Sequence, residues 1–154
     1  MGYFASDLDG TLADYSAGWQ GPDHIGAPVP KMVDRIKRLL SKRQQVRIFT
    51  ARVFPIGIER EYVSMTDGEY QKRMQEAYIS RSAIHNWCLE HFGGVLPVQC
   101  WKDFHTIRIF DDRAAQVYEN TGELVESRLK KAEAKLAQFG IVYENGEYVF
   151  DGRA

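Results

Sequence analysis

Only two cysteines, Cys88 and Cys100, occur in 154 residues, too few for a disulfide framework or for a zinc cage built from cysteine alone. Charge of one sign is also lacking. Twenty Lys and Arg stand against 21 Asp and Glu, a net charge of −1, so the cationic excess behind non-specific binding to nucleic acid or an anionic membrane is missing. No apolar run approaches the roughly 18 residues of a membrane span. The opening MGYFASDLDG has none of the basic-then-apolar pattern of a signal peptide. Repeats and low-complexity tracts are absent too. What is left is the ordinary composition of a globular chain, 44% hydrophobic and 27% charged, at a length that fits one domain. The expectation is a single reduced, cytoplasmic domain over 1–154, with no membrane association and no obligate protein partner.

The chain alternates strand and helix patterns. Gly2–Asp7 reads as a short buried strand stopped by Asp9-Gly10. Residues 13–30 are punctuated by Gly18, Gly21, Pro22, Gly26, Pro28 and Pro30, with Tyr15 and Trp19 embedded, and read as a loop. Met32, Val33, Ile36, Leu39 and Leu40 then recur at helical spacing, with Pro30 near the first helical position. Gln45–Thr50 is a second strand, and 53–65 a loop. Thr66 and Glu69 make a capping-box pattern that opens a helix to about Phe92, ended by Gly93-Gly94. Val95–Trp101 and Thr106–Phe110 supply two more strands, with a short fifth at Val117-Tyr118. Val125, Leu129, Ala132, Leu136 and Phe139 stripe a last helix, and Asn145-Gly146 between two apolar runs signals a hairpin. This order predicts an α/β fold, a Rossmann-like three-layer sandwich on a mainly parallel sheet. Its core spans about 1–122, with the C-terminal helix and β-hairpin over about 123–154. In such sheets ligands bind beyond the carboxyl ends of the strands.

Acids gather at those ends. Asp7 and Asp9 flank Leu8 where the first strand meets its turn, so both carboxylates can approach one site. Paired anions need a compensating cation, and Mg²⁺ accepts carboxylate and phosphate oxygens together. One carboxylate could then attack phosphorus while its neighbour moves protons. Asp111-Asp112 closes the strand Thr106–Phe110 and would complete such a metal site if its strand neighbours the first. The plainer readings are a turn at Asp9-Gly10 and a helix cap at Asp111-Asp112 ahead of Arg113. Thr50 ends the second strand, where its hydroxyl and the backbone N–H groups of Ala51 and Arg52 could hold a phosphate. Lys102, after the third strand, could neutralise phosphate charge. Tyr15, Trp19 and Phe54 lie on loops expected over the site and could stack on a base. Lys37, Arg38, Lys42, Arg43 and Arg47 form a basic face that could contact a phosphate backbone, against the plainer reading of a solvated helix face.

The motif Asp7-x-Asp9-Gly10-Thr11-Leu12, then Thr50, Lys102 and Asp111-Asp112, each at a strand end, resembles the haloacid dehalogenase (HAD) superfamily over about Phe4–Arg113. The resemblance implies a small capless Mg²⁺-dependent phosphatase. Asp7 is the nucleophile that forms an aspartyl-phosphate. Asp9 is the general acid and base, its backbone carbonyl also a metal ligand. Thr50 and Lys102 complete the catalytic set, with Gly10, Thr11, Ala51 and Arg52 around the phosphate, and the metal is held by Asp7, Asp9, Asp111 and Asp112. Lys72 or an arginine is the alternative to Lys102, which leaves no room for a helix before Asp111. Asp14–Pro30 is too short for a large cap, and Arg52–Thr66 at most a flap. The expected substrate is a phosphate monoester, a nucleotide or a nucleic-acid 3′-phosphate end. The alternative is a non-catalytic metal-binding, phospho-receiver-like or interaction module on the same fold. A receiver would place its lysine last, whereas Lys102 precedes the final acid pair.

Overall fold

The first strand in the chain lies inside the sheet rather than at its edge. In the computed structural model, which describes residues 2–125, 135–144 and 147–150, β1 (Tyr3–Ser6) is followed by α1 (Pro30–Ser41) and β2 (Gln45–Phe49). Then come α2 (Asp67–Phe92), β3 (Val98–Gln99) and β4 (Thr106–Phe110). The four strands form one sheet in the order β3-β2-β1-β4, and every pairing in it is parallel. The chain is therefore α/β with an all-parallel four-stranded sheet. By contacts it divides into two compact units, Met1–Asp112 and Arg113–Ala154.

In the first unit, local sequence explains the helix ends. Pro30 occupies the first turn of α1, where a missing N–H costs nothing. The capping box predicted for α2 is present: the Glu69 N–H donates to Thr66 Oγ1 at 3.4 Å while Thr66 N–H donates to Glu69 Oε2 at 2.9 Å. Gly93 ends the helix in the left-handed conformation at φ 73°, a region closed to most side chains. Two right-handed crossovers stepping the same way across a sheet put both helices on one face. The core agrees, since Val33 and Ile36 of α1 join Ile84, Trp87 and Cys88 of α2 against Val46 and Ile48 of β2. Residues 2–112 supply no helix to the opposite face. There the Tyr3 hydroxyl accepts from Gln99 Nε2 and Thr106 Oγ1, both at 2.7 Å. Arg47 lies 3.9 Å above the Tyr3 ring and donates to Gln99 Oε1 at 2.7 Å. Arg47 thus belongs to this sheet network and is not part of a solvated basic helix face.

Two strand expectations change. β3 covers only Val98–Gln99 instead of Val95–Trp101, because Pro97 has no N–H for the ladder and β3 pairs on one side only. Val117-Tyr118 forms no strand; a single bridge joins Val117 to Leu124 around a turn in which Asn120 and Gly122 both take positive φ. In the second unit, β5 (Ile141–Glu144) and β6 (Glu147–Phe150) pair antiparallel from Ile141↔Phe150 to Glu144↔Glu147, the register a two-residue hairpin needs. The Asn145-Gly146 turn and most of the last helix stripe, residues 126–134, lie outside the described residues. No helix among the described residues is long and apolar enough to cross a membrane.

Candidate active site

Strand register brings the two acid pairs together. Ser6 of β1 is level with Phe110 of β4, and the Asp7 N–H donates to the Phe110 carbonyl at 2.8 Å, so Asp7 and Asp111 leave adjacent strands at the same height. The neighbour relationship that convergence required is present. Asp7, Asp111 and Asp112 each offer a carboxylate oxygen, and these oxygens all lie within 4.8 Å of one another. The outward turn of the acids has a local cause. Leu8 and Leu12 are fully buried, and Leu12 N–H and Ala13 N–H both donate to the Leu8 carbonyl, at 2.9 and 2.8 Å. With Leu8 and Leu12 driven into the core, the alternating Asp7 and Asp9 are left at the strand mouth.

Two residues tie this turn to the Asp112 segment. Thr11 Oγ1 donates to Asp112 Oδ1 at 3.0 Å and accepts from the Asp112 N–H at 3.0 Å, a reciprocal pair between chain segments 101 residues apart. Gly10 stands at φ +84°, and a Cβ there would meet Asp112 Oδ2 at 2.8 Å. A side chain at this position would therefore push on the carboxylate cluster. No helix begins after Asp112, as residues 111–116 carry no helical turn, so the capping role for this acid pair is not realised.

The electrostatics follow from crowding. Burial pushes the Asp7 carboxyl up to about 7, with the charges of Asp111, Asp112 and Asp9 adding to the rise and a hydrogen bond from the Leu8 backbone opposing it. Three carboxylates on two rigid strand ends make an all-oxygen donor set, the set a hard divalent cation takes. The residues present fit Mg²⁺ on donor chemistry.

Asp9 is placed differently. Its carboxylate is gripped by Arg52, Nε donating to Oδ2 at 2.6 Å and Nη2 to Oδ1 at 2.8 Å. Arg52 is only 4% exposed. Its Nη1 donates to the His24 carbonyl at 2.9 Å, and its guanidinium carbon lies 4.7 Å from the centre of the Trp19 ring. The sequence expectation is that Arg52 meets the phosphate through its backbone N–H; its side chain is committed to Asp9 and to the loop above it. Thr50 is buried and caps the turn Ala51–Val53, its Oγ1 accepting from the Arg52 N–H at 3.2 Å. The hydroxyl hydrogen is left to donate elsewhere. Ala51 is exposed beside it, with its carbonyl accepting from Arg73 Nη2 at 3.2 Å.

Lys102 is exposed beyond β3. β2 lies between β3 and β1, so strand spacing sets their ends roughly 10 Å apart. Among the described residues no hydrogen bond or ion pair joins Lys102 to the carboxylates. Lys72 is exposed on α2, beside Glu69, Arg73 and Glu76. The pairing of Arg52 with Asp9 is the feature that residue-by-residue reading misses. Its one sequence signal is that both residues follow apolar strands that become neighbours. Comparison with protein-family models, curated proteins and solved structures finds no match to this chain, so the chemistry rests on these residues themselves.

Proposed function

We propose that the chain is a Mg²⁺-dependent phosphohydrolase of the HAD type, acting on a phosphate monoester through an aspartyl-phosphate on Asp7. The observation that carries this reading is the convergence of Asp7 with Asp111 and Asp112 within 4.8 Å, beside an Asp9 that a buried arginine holds in place.

Asp7, Asp111 and Asp112 would hold the metal, together with the Asp9 backbone carbonyl that the resemblance implies. When bound, Mg²⁺ supplies charge neutralisation among the carboxylates and on the phosphoryl oxygens. The protein residues do the rest. An Asp7 carboxylate oxygen attacks phosphorus; the P–O ester bond breaks, and the leaving oxygen takes a proton from Asp9. Water then attacks the acyl phosphate as Asp9 accepts its proton, releasing inorganic phosphate and restoring Asp7. Arg52 is a positioning residue here: it binds both Asp9 oxygens, and each keeps a further lone pair for the proton in flight. The Thr50 hydroxyl and the Ala51 backbone N–H would donate to the phosphate, the Arg52 N–H being spent on Thr50 Oγ1. Thr11 acts through Asp112, because its hydroxyl already donates and accepts there. With no cap inserted in the chain, a nucleotide or a nucleic-acid 3′-phosphate end is the substrate class this open site fits.

The test is phosphate release from an aryl phosphate, nucleoside monophosphates, sugar phosphates and a 3′-phosphorylated oligonucleotide, with Mg²⁺ and with EDTA. Release that needs Mg²⁺ and disappears in Asp7→Asn supports the proposal. Activity that survives in Asp7→Asn overturns it. Mg²⁺ binding without turnover of any substrate would favour the non-catalytic module.

A further inference from the structure

The loop above the site is a closed structure with one large aromatic residue near its tip. Its neck is fastened where the Asp14 N–H donates to the Ala27 carbonyl at 2.7 Å and Ala13 bridges Pro28. A Cβ on Gly26 would run into the Asp14 carbonyl, so the neck closes this tightly only with glycine there. A compact loop with adjoining ends is an Ω-loop, which packs on itself and is often functional. Inside it, Asp14 takes the Ser16 N–H at 3.1 Å and the Ser16 hydroxyl at 2.8 Å. Two outside groups pin its return limb: Arg52 Nη1 donates to the His24 carbonyl at 2.9 Å, and Trp87 Nε1 donates to the Gly26 carbonyl at 2.9 Å. Trp19 is carried on this braced loop.

Trp19 is 48% exposed, yet its indole is held in place by the Arg52 guanidinium, 4.7 Å from the ring centre. A cation over one face fixes a ring without covering the rest of it. The same guanidinium grips both oxygens of Asp9. The indole therefore stands two contacts from the carboxylate that, in the proposed reaction, must reach the leaving oxygen. Arg52 thus links the indole to Asp9 through a single side chain.

On the basis of the hydrolase reading above, we propose that Trp19 is the specificity residue of this site, a platform on which the nucleobase of the leaving group stacks. A pre-held, half-exposed indole suits the flat face of a nucleobase, and a glycerol has no ring to lay on it. The base could belong to a mononucleotide or to the end of a strand, and the choice of substrates separates the two.

kcat and KM are measured with Mg²⁺ for wild type, Trp19→Phe and Trp19→Ala. The substrates are adenosine 3′-monophosphate, a 3′-phosphorylated dinucleotide and the base-free β-glycerophosphate. Stacking on an aromatic side chain implies that Trp19→Ala lowers the preference for base-bearing over base-free substrates by about tenfold. The change should lie mainly in KM, and Trp19→Phe should restore most of it. A wild-type preference for the dinucleotide that Trp19→Ala abolishes assigns the base to a strand end; equal loss on both base-bearing substrates assigns it to a mononucleotide. Equal loss on all three substrates, or no loss, overturns the platform and leaves Trp19 as packing for Arg52. If the wild type releases no phosphate from any substrate, the hydrolase reading fails separately, and calorimetric binding of adenosine 3′-monophosphate decides. Weaker binding to Trp19→Ala than to wild type supports the platform; equal binding, or none to either, overturns it.

Discussion

Arg52 holds both carboxylate oxygens of Asp9, with Nε and Nη2 at 2.6 and 2.8 Å, across 43 residues of sequence. Few side chains can do this, because a two-point grip on a carboxylate needs a planar fork of donors, which arginine has and lysine lacks. The same fork reaches the His24 carbonyl, so one buried side chain sets both the acid and the loop above it.

Arg52→Met should therefore cost stability as well as function. Removing Arg52 leaves the part-buried Asp9 carboxylate without its counter-charge, which costs about 2 kcal/mol, less than in a fully buried pair. Urea denaturation of the variant should show a clearly lower midpoint, and phosphate release should fall chiefly in kcat. Arg52→Lys should recover part of the stability and little of the rate. A Lys variant as active as wild type would remove the positioning role.

Gly10→Ala should damage the carboxylate cluster from the side. At φ +84° a side chain is strained by roughly 1–2 kcal/mol, and its Cβ would meet an Asp112 oxygen that Thr11 already fixes by way of the other oxygen. Weaker Mg²⁺ binding by calorimetry is the expected result, with only modest loss of fold stability. Unchanged affinity would mean that Asp112 can move without consequence for the ion.

Without metal, Asp7 should work against the fold at neutral pH. Its carboxyl is pushed from 3.8 to about 7, by burial first and then by Asp111, Asp112 and Asp9. A carboxyl that holds its proton more tightly when folded leaves stability intact below its unfolded pKa; stability is lost as pH rises toward the folded value. In EDTA, Asp7→Asn should raise the melting temperature near pH 8 and change it little near pH 4. The gain should shrink when Mg²⁺ is added. A variant less stable than wild type at both pH values would contradict this account.

Ser80→Ala should stabilise the protein. Ser80 is 1% exposed in the middle of α2, and its Oγ has no hydrogen-bond partner among the described residues. Removing a buried hydroxyl that makes no bond, and gaining helix propensity, should add about 1 kcal/mol. Denaturant unfolding measures it directly. A loss of stability would reveal a partner for the hydroxyl.

Elements governed by neighbours in sequence were legible before the fold. Pro30 marked the start of α1, Thr66 with Glu69 the start of α2, and Gly93 its end, because caps and breakers act within a few residues. The extent of β3 is not legible in this way, because apolar β-formers around Pro97 say nothing of sheet position. It is an edge strand, and only Val98–Gln99 find a ladder. At Val117-Tyr118 the apolar pair has the composition of a strand, but the turn at Asn120 and Gly122 leaves room for a single bridge to Leu124. The acids were recognisable as chemistry, but their meeting depended on β1 and β4 being adjacent, a fact of strand order that no local pattern encodes. Nothing near Arg52 in the sequence points to Asp9. The ion pair with Asp9 exists only because β1 and β2 lie side by side and both end at the same rim.

Placing β1 inside the sheet has a consequence for how the protein is made. During synthesis Tyr3–Ser6 emerges before both of its partners, so one of its edges must wait for Gln45–Phe49 and the other for Thr106–Phe110. Until then its N–H and C=O groups face outward, open to pairing with another chain. Pairings of such long sequence separation form slowly. A ribosome-bound fragment that stops before Thr106 would carry a half-paired apolar strand, and nascent chains of this protein should be most prone to aggregation over that interval.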